Sequence, residues 1–139
     1  MTHENRRSNL ALETARGDAS LDSAELLLRA GKLADAVSRA YYGAFHYARA
    51  LLLTLGEEPV THAGVERLLY RDLVRPGKLD PDVARLLSRL QKLRLDADYC
   101  AEFLFSPAGA AEEVAAARAF VEAARAILHG DGWLAPPGT

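Results

Sequence analysis

Cysteine is almost missing: Cys100 stands alone among 139 residues. A lone thiol closes no intramolecular disulfide and cannot build a multi-cysteine zinc site. Long apolar runs are missing too. None approaches the ~18–20 residues that a membrane span requires, so no membrane association is expected. No apolar stretch follows the opening Met1-Thr2-His3-Glu4-Asn5-Arg6-Arg7, so a signal peptide is not expected and a cytoplasmic protein is. Charge of one sign is also lacking. Lys and Arg number 17 against 19 Asp and Glu, a net charge of −2. That balance supplies no global basic field to hold a duplex, so a nucleic-acid site has to be a local patch.

Catalytic signatures are equally scarce. The sequence contains no glycine-rich phosphate loop, no His-Glu-x-x-His zinc motif and no Glu-x-x-His pair for a di-iron bundle. His3, His46, His62 and His129 lack metal-ligand spacing, and nothing marks a nucleophile elbow. Neither a metal nor a cofactor is expected.

What is present is helix-forming sequence. Ala, Leu, Glu and Arg dominate, and all four favour helix. Runs of β-branched residues and alternating apolar–polar stretches are almost absent. Half of the chain is hydrophobic and 26% is charged, which suits a folded domain. Five helical segments follow from periodicity and caps. The first runs from about residue 6 to residue 30, with Gly17-Asp18 as a kink or break and Gly31 closing it. The second spans residues 33–55, with Leu33, Val37, Ala40, Tyr41, Ala44, Ala48, Leu51, Leu52 and Leu55 on one apolar face. The third spans residues 62–74 behind a Thr61 cap. The fourth opens with Asp80 and Pro81 and carries a stripe from Val83 to Leu104, with Cys100 on its core side as packing. The fifth follows Ser106-Pro107 and buries Val114, Ala117, Val121, Ala124 and Leu128. Short connections between long helices imply antiparallel neighbours. The expected fold is all-α: an up-and-down bundle of four long helices plus a shorter one, over residues 1–130, with 131–139 as a flexible C-terminal tail.

Two polar stripes lie opposite the apolar faces. Asp35, Arg39, Tyr42, His46 and Arg49 recur at spacings of 4, 3, 4 and 3 along the second helix. Guanidinium, phenol and imidazole together suit holding a phosphate and moving a proton. Gln91, Arg94, Asp98 and Glu102 recur at 3, 4 and 4 on the fourth helix, with Tyr99 beside them as a half-buried ring. By spacing alone each stripe reads first as a solvated face with intrahelical pairs. His62 begins the third helix, where the positive helix end favours a neutral ring.

The string Ser38-Arg39-Ala40-Tyr41-Tyr42-Gly43-Ala44-Phe45-His46, running on to Ala48-Arg49-Ala50-Leu51-Leu52, resembles the second-helix signature of HEPN-domain proteins. Thr61-His62-x-Gly64-Val65 and Arg94-x-x-Ala97-Asp98-Tyr99 match further marks of the small single-domain prokaryotic branch. The resemblance spans about Leu10 to Leu128. It implies a compact helical bundle, often a homodimer. Many HEPN proteins are metal-independent ribonucleases, some act with a nucleotidyltransferase as a toxin–antitoxin pair, and others bind nucleotides or proteins without catalysis. The nuclease members carry an Arg, then four to six residues, then a His. Here Leu95 follows Arg94, and the corresponding positions hold Tyr99, Cys100 and Ala101. An imidazole would have to come from His46 or His62. The resemblance thus implies a nucleotide- or RNA-interacting protein working with a nucleotidyltransferase-type partner. Its alternatives are a metal-independent endoribonuclease using Arg94 with His46 or His62, and a non-catalytic interaction module. The implied ligand contacts are Arg39, Tyr42, Asp98 and Tyr99.

Overall fold

The computed structural model describes residues 2–99 and 105–135. Helix α1 runs His3–Arg29, α2 Leu33–Leu53, α3 His62–Leu69, α4 Pro81–Tyr99 and α5 Pro107–Gly130. No strand occurs among the described residues. The fold is the expected all-α bundle of four long helices and one short one. Side-chain caps set the starts of α3, α5 and α4. Thr61 Oγ1 accepts from the Gly64 N–H at 2.9 Å, Ser106 Oγ from the Gly109 N–H at 2.9 Å, and Asp80 Oδ1 from the Asp82 N–H at 2.7 Å. Each satisfies a first-turn donor that has no partner within the helix. The third helix differs from expectation at its end. Tyr70–Val74 widens into a π-helical turn, with the Arg75 N–H bonded to Tyr70 O at 2.9 Å.

Helix α2 is the axis of the core. It packs on α1, α3, α4 and α5, whereas α1 and α4 do not touch among the described residues. Ala36, Val37, Ala40, Tyr41, Ala44, Ala48 and Leu51 are buried along it. Leu87 and Leu90 of α4 and Ala117, Phe120, Val121 and Leu128 of α5 are buried in the same core. Cys100, Ala101, Glu102 and Leu104 lie outside the described residues. No helix among those described is long and apolar enough to cross a membrane.

Two glycines decide the path of the chain. Gly31, at φ 77°, ends α1 in a Schellman turn: its N–H bonds to Leu28 O, and the Lys32 N–H bonds to Leu27 O. The chain reverses at once into α2. Gly17 does not break α1, contrary to the expectation from sequence. A Cβ there would lie 2.7 Å from Tyr47 Cδ2 and 3.1 Å from Gly43 O. The absent side chain is what lets α1 and α2 cross closely. Tyr47 cannot simply retreat. Its hydroxyl donates to Asp18 Oδ1 at 2.7 Å and accepts from Arg125 Nε at 3.0 Å. Gly17→Ala gains roughly 1 kcal/mol of helix propensity, but overpacking costs ~1–3 kcal/mol. The expected net is a loss of about 1 kcal/mol, read as a lower urea midpoint. A midpoint that stays or rises would show that the Tyr47 ring yields.

The stretch from residue 131, expected as a flexible tail, is docked over residues 131–135. The Trp133 N–H bonds to Leu128 O at 2.8 Å, and the Trp133 ring stacks on His3 with centroids 4.8 Å apart. The Arg7 guanidinium lies 5.3 Å from the same ring, and Trp133 and Leu134 pack against the core. An apolar pair just past a helix-ending glycine was the sequence signal for this return.

Candidate functional site

The α4-facing side of α2 presents Tyr41, Tyr42 and Phe45, and two side chains from other helices meet them. Arg94 of α4 places its guanidinium 5.3 Å from the Tyr41 ring centre and 5.4 Å from that of Tyr42. His62, in the first turn of α3, packs against Phe45 with centroids 4.7 Å apart and against Tyr41 at 5.5 Å. Tyr41 Oη lies 2.5 Å from His62 Nδ1. Arg39, one turn before Tyr42, sets its guanidinium 5.0 Å from the Tyr42 ring. One sequence-adjacent tyrosine pair thus gathers residues from three helices.

Arg94 is held rather than free. Its side chain is only 11% exposed. Nε and Nη2 donate to Gln91 Oε1 at 3.2 Å each, and Nη1 donates to Asp98 Oδ2 at 2.8 Å. The stacked rings add cation–π attraction, which grows as water is excluded. Arg39 is exposed and has no carboxylate partner among the described residues. A planar guanidinium already aimed by fixed neighbours loses little freedom when it binds an oxyanion.

The titratable groups are shifted in a consistent sense. Burial and the charge of Arg94 hold the His62 imidazole below its usual range, against an opposing pull from Glu66. Burial and Glu66 push the Tyr41 phenol up, opposed by Arg94. At neutral pH the site therefore holds a neutral imidazole, a protonated phenol and a guanidinium.

The sequence-predicted residues divide into two groups. Arg39, Tyr42, His62, Arg94 and Asp98 come together. His46 does not join them. Its Nδ1 lies 2.8 Å from Glu13 Oε2, on α1. Arg49 turns to the same carboxylate at 3.5 Å. The reason lies in the helical wheel of α2. Gly43 and Tyr47 face α1, and Tyr41 and Phe45 face His62 and Arg94. The polar stripe runs along the boundary between those sides, so its members lean to either. Asp35 is exposed. Tyr99, expected as a half-buried ring, is 84% exposed at the last described turn of α4.

One residue of each cluster was not singled out as a site residue from the sequence. Tyr41 reads as pure core on an apolar face, and only its hydroxyl reveals more. Glu13 sits on α1 with just one cation at helical spacing, Arg16. Among the described residues, no three His, Cys, Asp or Glu side chains converge as a metal site would require.

A family model described as the HEPN domain matches residues 12–129. A UPF0332 protein of Pyrococcus horikoshii is 45% identical over 71 residues, covering 51% of this chain and 50% of that protein. A protein of Methanocaldococcus jannaschii whose name marks it as a toxin candidate is 38% identical over 82 residues, 59% of this chain and 61% of its own. A UPF0332 protein of Thermotoga maritima is 30% identical over 109 residues, 78% of this chain and 83% of its own. The chain thus spans about half the length of the first relative and three fifths of the second.

Proposed function

The chain belongs to the HEPN domain family, and from that premise we propose that it binds RNA or nucleotide phosphate at the Arg94 cluster as part of a toxin–antitoxin-like module. A nucleotidyltransferase-type protein is the proposed partner, and a homodimer the proposed assembly. The observation that carries the binding reading is Arg94 itself: a nearly buried guanidinium, stacked on two tyrosines beside a neutral imidazole, with Arg39, which meets no carboxylate among the described residues, one ring away. The name of the Methanocaldococcus jannaschii relative supports the toxin-like setting. Exposed Leu95 and Tyr99, on the turns of α4 next to Arg94, support self-association.

Asp98 is the residue a phosphate has to displace. Its carboxylate is 43% exposed and takes one guanidinium edge. Binding is tested with a fluorescent single-stranded oligoribonucleotide at two or more salt concentrations. Arg94→Ala is expected to weaken it at least about tenfold, and to reduce the salt slope by about 0.7 if one phosphate contact is lost. Asp98→Asn is expected to tighten it by about two- to fivefold, the range of a partly exposed ion pair. Asp96→Asn removes the same charge without touching Arg94. Equal tightening in both variants would mean that general repulsion, and not the ion pair, sets the affinity. Wild-type binding that Arg94→Ala leaves unchanged would overturn the site.

A second reading, metal-independent RNA cleavage, is favoured by one observation. His62 supplies, from α3, the imidazole beside Arg94 that α4 does not carry four to six residues on. Cleavage in the presence of a chelator, lost in Arg94→Ala and His62→Ala and retained in His46→Ala, would establish it. Activity indifferent to all three changes would indicate a contaminant.

A further inference from the structure

We propose that Tyr41 is a positioning residue whose hydroxyl fixes His62 in its Nε2–H tautomer, so that His62 meets a phosphate as a hydrogen-bond donor beside Arg94. This rests on the phosphate-binding reading above and assigns His62 a definite protonation role within it.

The argument begins with burial. Tyr41 is 1% exposed, and among the described residues its hydroxyl has no hydrogen-bond partner other than His62 Nδ1, at 2.5 Å. Two proton arrangements fit that distance. In one, the phenol O–H donates to Nδ1. In the other, Nδ1–H donates to the phenol oxygen, and the phenol proton is left buried with no acceptor among the described residues. Buried donors are very rarely left unpaired, so the first arrangement prevails. Neighbouring charge agrees with it. Burial and Arg94 disfavour a second proton on the ring, opposed by Glu66, and Tyr41 stays a phenol. A neutral imidazole whose Nδ1 accepts carries its single proton on Nε2.

The consequence is chemical. Two kinds of donor, guanidinium N–H and imidazole N–H, border the same pair of tyrosine rings. Both are complementary to phosphate oxygens. In this tautomer Nε2 already bears a proton and cannot take one from a ribose hydroxyl. His62 acts as a base only when its bond to Tyr41 is broken or its proton is lost to another group. The site as folded is therefore built to hold an oxyanion.

The test uses the full chain labelled with ¹⁵N, as wild type, Tyr41→Phe and Arg94→Ala. Imidazole nitrogen resonances report the tautomer and the His62 pKa. Binding of a 5′-phosphorylated oligoribonucleotide is measured at pH 8, where the ring is neutral. The wild type is expected to show protonated Nε2 and unprotonated Nδ1. Tyr41→Phe removes a donor that favours the neutral ring, so the His62 pKa is expected to rise toward its ordinary value of 6.5. A second tautomer is expected to appear, and affinity to fall about two- to fivefold, the worth of one hydrogen bond. A wild-type ring protonated on Nδ1 would overturn the inference. So would a Tyr41→Phe variant with unchanged tautomer, pKa and affinity. If that result accompanies binding that Arg94→Ala abolishes, the positioning role falls and the phosphate site stands. Wild-type binding that ignores Arg94→Ala overturns the site and, with it, the donor role of His62.

Discussion

Tyr41→Ala is expected to lower the free energy of unfolding by about 3–5 kcal/mol. Tyr41 lies on the central helix and is 1% exposed. Its ring meets Tyr42 at 5.2 Å, Phe45 at 5.8 Å and His62 at 5.5 Å between centroids. Truncation forfeits the transfer free energy of a large aromatic group and leaves a cavity that three helices cannot collapse together. It also removes the ring under the Arg94 guanidinium and leaves His62 Nδ1 without its partner. A loss of this size is a large share of the 5–15 kcal/mol typical of a folded domain. Tyr41→Phe keeps the ring and gives up one hydrogen bond, about 1 kcal/mol. Chemical denaturation of both variants checks the pair. A loss below ~1 kcal/mol for Tyr41→Ala would mean that the ring is not packed as described.

Glu13→Ala is expected to cost about 2–3 kcal/mol, because a buried carboxylate with a charge-assisted hydrogen bond is lost and its partners are left behind. Glu13 is 5% exposed in mid-helix, where a carboxylate is rarely tolerated without compensation. Burial pushes its carboxyl up. The hydrogen bond with His46 and the charges of Arg49, His46 and Arg16 outweigh that and hold it below the ordinary value of 4.5. The sign of the pH effect follows. A depressed carboxyl stabilises the fold above the unfolded value and loses that contribution as pH falls through the folded one. Wild-type stability is therefore expected to drop as pH goes below about 4.5. Glu13→Gln is expected to show a flatter profile across the same acidic window. Urea unfolding at pH 7, 5, 4 and 3 makes the comparison. Parallel profiles would show that other carboxylates govern acid lability.

The two results together separate the faces of α2. Tyr41 binds α2 to α3 and α4 at the Arg94–His62 cluster. Glu13 binds α2 to α1 through His46 and Arg49. A variant that weakens one junction and spares the other is informative because α1 and α4 do not pack on each other among the described residues.

The five helices, the caps of three of them and the stop after α1 were legible in the order of residues alone. Apolar residues at helical spacing, Thr61, Asp80 and Ser106 as caps, and Gly31 as a stop act over a few residues, so local order is enough to read them. Membership of the family was legible for a related reason: the Ser38–Leu52 string, Thr61–Val65 and Arg94–Tyr99 stand in the family's order along the chain. Arg39, Tyr42, His62, Arg94 and Asp98 were legible as candidates, because their chemistry survives without coordinates. Which candidates meet depends on the packing of the helices, and no local pattern records it. His46 shares a stripe with Arg39 and Tyr42, yet α1 brings Glu13 to it and removes it from Arg94. Gly17 reads as a helix breaker in one dimension and becomes a contact point once Tyr47 crosses it. Trp133 reads as the start of a tail, and His3 and Arg7, more than a hundred residues away in sequence, capture it. In each case periodicity gives a residue's angle around its own helix. The neighbour at that angle is set by how the helices pack.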